Sequence, residues 1–249
     1  MAALRLLRQW VLAFVAPRPL VGFAYLHRYA MDWIRFRRKP GAPRLSLADS
    51  YPCLTDWVSA TPFDPHYLFQ GAWLSRQLSP RSPGLHVDVG SSVTMLSVMT
   101  AWVPTAFVDF RPLRAGLSGL YPLAGSVTCL PFADGSIHSL SSLHVIEHVG
   151  LGRYGDPLDP DGATRAAAEL KRVLAPGGRI FLSTPIGRER VCFNAHRVFA
   201  PETVLGWFSG FVLAGFSFVD DAGKFHTEAA PSSATGLDYG LGMFVFERL

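Results

Sequence analysis

With 249 residues, 49% hydrophobic and 17% charged, and with 23 Gly and 19 Pro falling on no fixed period, the chain reads as one large globular domain with an appended segment, which excludes the disordered and fibrous classes. Three widely separated cysteines, Cys53, Cys129 and Cys192, argue against a disulfide framework or a zinc site and fit a reducing cytoplasm, where the protein is expected to reside. The formal net charge of +4 hides an asymmetry: nine of the 23 Lys and Arg but one acid, Asp32, lie in residues 1–44, so this head carries +8 and the remainder −4.

The head predicts two helices over residues 1–36, broken at Pro17–Pro19, followed by a Pro/Gly/basic linker over 37–50. Its apolar run Trp10–Ala16 is shorter than the roughly 20 residues that cross a bilayer. The PRPLVGF that follows lacks the small-residue cleavage site of a signal peptide. Trp10, Phe14 and Tyr25 among the arginines suit peripheral contact with an anionic inner membrane face through residues 1–44. The favoured alternative is a helical pair packed on the body, with Arg stems covering apolar surface. The expected division is a basic helical extension, residues 1–50, and a second domain, residues 51–249.

A further helix is predicted over His66–Gln77. From Leu85 onward, apolar runs at Leu85–Val89, Thr105–Asp109, Gly125–Leu130, Ile137–Val145, Arg179–Thr184, Phe216–Asp220 and Gly242–Phe246 alternate with helical or turn segments, the pattern of a parallel sheet wrapped by helices. In LHVDVGSSVTML (85–96) a buried strand ends at Asp88 and turns on Gly90 before Ser91 and Ser92, letting backbone approach a bound nucleoside closely. One unit later TAFVD ends in Asp109, placed to grip ribose hydroxyls. The clearest helix is Gly162–Leu174, with Ala167, Leu170, Val173 and Leu174 on one face, Asp159 or Asp161 at its start and Pro176-Gly177-Gly178 at its end.

The series VDVGSS (87–92), VDF (108–110), CLPFADGSIHSLSSLHVIEHV (129–149) and ELKRVLAPGGRIFLSTP (169–185), in this order and spacing, resembles the class I S-adenosylmethionine-dependent methyltransferases, especially their type 11 branch, over residues 80–248. The resemblance implies an α/β, Rossmann-like, seven-stranded, mostly parallel sheet with a final antiparallel strand, and S-adenosylmethionine as cofactor. It also implies that Asp88 and Gly90, with Ser92 in the same turn, flank the methionine part, and that Asp109 takes the ribose. By the same resemblance Ser126 and Leu130 lie beside adenine, and His144 with Val145 lines the floor. Two departures stand out: Ser92 and Thr94 occupy later positions of a turn that is usually richer in glycine, and Ser126 stands where an acid is common.

Two loops carry candidate acceptor contacts. Val149–Gly162 (VGLGRYGDPLDPDG) offers Arg153, Tyr154, Asp156 and Asp159, and GRERVCFNAHRVF (187–199) offers Arg188 for a phosphate or carboxylate; the alternative is that the arginines of the second loop pair with the acids of the first. Together the loops resemble a bacterial branch of the superfamily loosely connected with surface-polysaccharide genes, which implies a small, carbohydrate-related acceptor. For a sugar hydroxyl a base is useful near neutral pH, and His144 comes first, then His196, with His148 a third candidate. His144, Glu147 and His148 lack a third ligand at supporting spacing, so no metal is expected. Three competing readings remain: a non-catalytic relative that binds a glycan-associated partner; a nicotinamide oxidoreductase, disfavoured because no G-x-G-x-x-G is present; and a nucleic-acid methylase, disfavoured by the acidic body.

Overall fold

The computed structural model describes residues 19–111 and 113–249. They form two compact units that divide between Phe63 and Asp64. The predicted first helix of the head, with Trp10 and Phe14, lies outside the described residues. The second is α1 (Pro19–Arg37), opening on the proline expected to break the head. Residues 51–63 group with this first unit, where the Arg28 guanidinium lies 3.4 Å above the Trp57 ring and Tyr25 meets the same ring edge-on.

The second unit begins with α2 (Pro65–Leu78). Asp64 caps it, Oδ1 accepting from the backbone N–H groups of His66 (2.9 Å) and Tyr67 (3.3 Å), and Pro65 takes the first helical position. Then follow β1 (His86–Val89), α3 (Val93–Met99), β2 (Thr105–Asp109), β3 (Leu120–Ala124) and β4 (Ile137–Leu143). After them come a 3-10 turn (Ile146–His148), α4 (Gly162–Val173), β5 (Leu174–Ile186), β6 (Arg190–Cys192), β7 (His196–Val198) and α5 (Pro201–Trp207). The chain ends with β8 (Val212–Val219), β9 (Phe225–His226) and β10 (Gly240–Glu247).

The main sheet has the order β3-β2-β1-β4-β5-β10-β8-β9, with every pair from β3 to β5 parallel and β10 antiparallel to both β5 and β8. It therefore has eight strands where seven were expected; the extra one, β9, is a two-residue segment pairing Phe225 with Val219 and His226 with Phe218, too short to leave an apolar run in the sequence. β6 and β7 make a separate hairpin.

Alternation along the strands builds a helix layer on each face. Ile180 and Leu182 of β5, with Phe244 and Phe246 of β10, join a core with Ala166, Ala167 and Leu170 of α4 and Val204 of α5. Phe181, Met243 and Val245 point the other way and pack with Trp73, Leu74 and Leu78 of α2 and Leu96 and Met99 of α3.

The strand expected at Gly125–Leu130 lies one step earlier, at Leu120–Ala124. This is an edge strand in which Leu120 alone is buried, so it carries little of the apolar signal that marks a core strand. Residues 125–130 form a tight turn instead, with Ser126 and Cys129 facing one another in an isolated bridge. α4 stops at Val173, before the expected Pro-Gly-Gly stop, because β5 takes over at Leu174 and runs through that tripeptide.

Candidate active site

The chain runs outward from β1 to β3, then crosses back to β4 on the other side of β1. Ligands of open α/β sheets bind outside the carboxyl ends of strands at such a reversal, and here a cleft of about 190 Å³ opens there. Gly90, Asp109, Ser126, His144, Val145, His148, Tyr154, Asp156 and Asp159 line it, so nine residues named from sequence converge on one place.

Gly90 leaves β1 at φ 73°, a conformation costly for residues with a Cβ, and an added Cβ would stand 3.1 Å from the Val145 Cγ1 across the cleft wall. Beneath it the turn is pinned to β4. The Leu143 N–H donates to Ser91 Oγ (2.9 Å), and the Ser142 hydroxyl donates to the Val89 carbonyl (3.1 Å).

Asp88 departs from its expected place beside a ligand. It is wholly buried, Oδ1 accepting from the Ser91 N–H (3.0 Å) and Oδ2 from the Ser141 hydroxyl, so it holds the turn from below. Burial pushes its carboxyl up to about 6, against the lowering effect of these hydrogen bonds. With its proton committed to Asp88, Ser141 Oγ accepts from His86 Nε2 (2.8 Å), leaving His86 Nδ1 to accept from the Ser139 hydroxyl (2.8 Å). Burial drives His86 down to about 3, which keeps the imidazole neutral inside the sheet.

Asp109 ends β2 at the cleft. Its Oδ1 accepts from the Arg111 N–H (2.6 Å), and no described residue donates to Oδ2. The Arg111 guanidinium lies 4.4 Å from the Tyr154 ring, joining the β2 tip to the long loop across the cleft mouth. Ser126 shares a hydrogen bond with the Thr128 hydroxyl (2.8 Å), and Val108 and Val127 supply apolar wall beside it. Gly125 permits that turn, since a Cβ there would lie 2.8 Å from Val108 Cγ1.

Two cofactor candidates fall elsewhere. Leu130 is drawn into the core, its N–H donating to Glu169 Oε1 of α4 (2.6 Å), and Ser92 sits at the start of α3 outside the cleft lining.

His144 follows β4 with φ 57°, in the left-handed region that few non-glycine residues occupy. Its Nδ1 lies 2.6 Å from Glu147 Oε1, and its ring stacks on His66 and Tyr67 of α2 at centroid distances of 5.5 and 5.2 Å. Burial of Glu147 opposes ionisation, but the charge and hydrogen bond of His144, with help from His148, outweigh it and hold the carboxyl below its ordinary range. The His148 Nδ1–H donates to the Ala195 carbonyl (2.6 Å), and burial lowers this imidazole. His196 lies farther out, 5.3 Å from the Tyr239 ring, also lowered chiefly by burial. His66 is pushed down to about 4 by burial and by the His144 charge.

Sequence reasoning passed over His66, Tyr67 and Tyr239, and it weighed Glu147 only together with His144 and His148 as a metal-ligand set, giving it no role of its own. The EHV motif places Glu147 one residue before His148, but nothing local to positions 66, 67 or 239 marks their approach to His144. Among the described residues no cluster of three or more His, Cys, Asp or Glu is arranged to hold a metal ion.

The acidic loop residues are bound into their own backbone. Asp156 accepts from the N–H groups of Gly150 (2.7 Å) and Tyr154 (3.2 Å); Asp159 accepts from the Asp161 N–H (3.0 Å) and pairs with Arg165. Arg153 donates to the Ala195 carbonyl (3.0 Å). Arg188 stands away from the cleft, exposed and paired with Asp238 at 3.1 Å, because that aspartate, remote in sequence, lies nearer than the acids of the loop.

A family described as "Caenorhabditis protein of unknown function, DUF268" matches residues 132–231, which include β4, the long loop and α4. No curated protein matches the chain. Among solved structures, the N-methyltransferase NodS from Bradyrhizobium japonicum WM9, in complex with S-adenosyl-L-homocysteine, is similar with a TM-score of 0.53 at 13% identity, covering 88% of this chain and 97% of NodS. A Galdieria sulphuraria protein assigned as a sarcosine dimethylglycine methyltransferase follows at 0.52 and 13% identity (73% and 85% covered), and the [4+2]-cyclase SpnF at 0.50 and 13% (71% and 80%). Strand order and neighbours together give the conclusion that this chain has the Rossmann-like fold of the class I S-adenosylmethionine-dependent methyltransferases.

Proposed function

We propose that the protein transfers a methyl group from S-adenosylmethionine to a hydroxyl of a small, carbohydrate-like acceptor. Asp109 carries the reading: a strand-tip carboxylate beside the β1/β4 reversal, one oxygen fixed by the Arg111 N–H and the other without a donor among the described residues. The residues present fit the cofactor. Gly90 leaves room that a Cβ would fill, Asp109 offers an acceptor for ribose hydroxyls, and Val108 and Val127 offer apolar faces for a base.

When bound, the cofactor supplies a methyl carbon made electrophilic by its bond to sulfonium sulfur. The chain's part is to hold both reactants in line and to keep water out, which supplies most of the acceleration such a displacement needs. His148 and Tyr154 line the cleft, and His66, Tyr67, His196 and Tyr239 gather beside His144 outside that lining; burial lowers His66, His148 and His196, which favours their neutral forms. Such groups hydrogen-bond hydroxyls without asking for a charged partner and present ring faces to sugar C–H bonds, which supports a neutral, hydroxylated acceptor.

A non-catalytic binding role is the second reading, favoured by Ser92, Thr94 and Ser126 at positions where the resemblance leads one to expect glycines and an acid. Calorimetry with S-adenosylmethionine separates the two. Wild-type protein is expected to bind, and Asp109→Ala to bind about 10- to 100-fold more weakly, the worth of a hydrogen bond to a charged group. Absence of heat at millimolar cofactor overturns the enzymatic reading.

A further inference from the structure

Among the described residues one buried side-chain nitrogen or oxygen has no hydrogen-bond partner, His144 Nε2. Buried polar atoms are nearly always paired, so an orphan at a cleft wall calls for a reason. The side chain is 8% exposed, and its other nitrogen is engaged with Glu147, which is 0% exposed. An ionised carboxylate can only accept, so in the neutral ring the proton sits on Nδ1 and the lone pair on Nε2. The left-handed backbone at His144, its N–H donating to the Ser183 carbonyl of β5 (3.0 Å), fixes the ring's origin, and the stack on His66 and Tyr67 fixes its plane.

We propose that His144 Nε2 is the general base that takes the proton of an acceptor hydroxyl, and that Glu147 is the positioning residue that sets its tautomer and stabilises the imidazolium. This rests on the methyl-transfer reading above and adds its proton acceptor. The hydroxyl oxygen forms a bond to the methyl carbon as that carbon's bond to sulfur breaks, the electron pair staying on sulfur, which becomes a neutral thioether; the hydroxyl proton moves to Nε2. The imidazolium next to Glu147 later gives its proton to water.

His148, the third candidate from sequence, also approaches Glu147, and the geometry separates it from His144. Its Nδ1–H is spent on a backbone carbonyl, and its Nε2 faces Glu147 Oε1 at 3.8 Å, so its lone pair meets a carboxylate and not an acceptor. The titratable groups around His144 are His66 and Tyr67 of α2, Glu147 and His148 of the 3-10 turn, and His196 of β7; Asp64, at the start of α2, acts on His66. Glu147 is the carboxylate in contact with the ring.

The test uses the full chain labelled with ¹⁵N in its histidines and free of ligand. At pH 8 His144 is expected as the Nδ1–H tautomer, and in Glu147→Gln, whose amide can donate as well as accept, as a mixture of both tautomers. A protonated Nε2 in the wild-type protein overturns the proposal. Where Glu147→Gln does not fold, the wild-type tautomer still decides. Calorimetry with S-adenosylmethionine on the same sample keeps the two ideas apart: no cofactor binding sinks the methyltransferase reading, whereas binding with Nε2 protonated sinks the dyad alone. With labelled cofactor and a panel of methyl glycosides, kcat is expected to fall at least 100-fold in His144→Gln and about 10-fold in Glu147→Gln, with KM little changed; undiminished kcat in both variants overturns the assignment.

Discussion

Asp88 and His86 occupy one strand two residues apart, and burial moves their ionisations in opposite directions, to about 6 and about 3. A carboxyl raised on folding binds more protons in the folded than in the unfolded chain between about pH 4 and 6, so its contribution to stability is largest below that window and is lost as pH rises through it. A histidine lowered on folding acts the other way, its contribution falling away as pH drops below the ordinary histidine range. The wild-type profile is therefore a partial cancellation, and Asp88→Asn isolates one side of it. Relative to wild type, Asp88→Asn should gain stability by ~3 kcal/mol between pH 4 and pH 7, the equivalent of roughly two pKa units. Chemical denaturation at both ends of that range checks it, and a constant difference between the two proteins refutes it. Asp88 was legible from sequence as a strand-end acid; its direction was not, because facing a ligand and capping one's own turn leave the same residue at the same place.

At the scale of elements, the strands with strong alternation were readable in advance. β2 occupies Thr105–Asp109 as expected, and α4 ends one residue short of its predicted limit. β3 was missed because an exposed edge strand containing Pro122 carries a weak pattern, and β6, β7 and β9 because two or three residues hold no period. The turn after β1 is the element on which the cleft most depends. Gly90→Ala must hold a methyl group at φ 73° against Val145, and should cost about 1–2 kcal/mol, read as a lowered thermal midpoint. It should also weaken binding of S-adenosylmethionine by calorimetry, since the added carbon occupies the near wall of the cleft. An unchanged midpoint would show that the turn relaxes at little cost.

For the whole molecule, the sequence located the sheet and the end of it at which the cleft opens, because those depend on local runs and strand-end residues. It did not locate the histidine–tyrosine group, whose members come from α2, the β4 turn, β7 and the segment before β10 and meet only through the sheet's topology. The head poses a separate question. No helix among the described residues is long and apolar enough to cross a membrane. We propose peripheral contact, since α1 exposes Met31, Ile34 and Phe36 beside Arg35, Arg37 and Arg38. Sedimentation with vesicles rich in phosphatidylserine checks this. Changing Arg35, Arg37 and Arg38 together to Glu should cut bound protein at least tenfold at low salt, given about 1 kcal/mol per basic residue near an anionic surface. Equal sedimentation of both forms defeats the idea.

The main sheet closes on both sides with strands ill suited to recruit another chain. Pro122 deprives β3 of a donor at one margin, and β9 offers two residues at the other. Among the described residues the main sheet therefore offers a neighbouring chain no long ladder to extend at either margin.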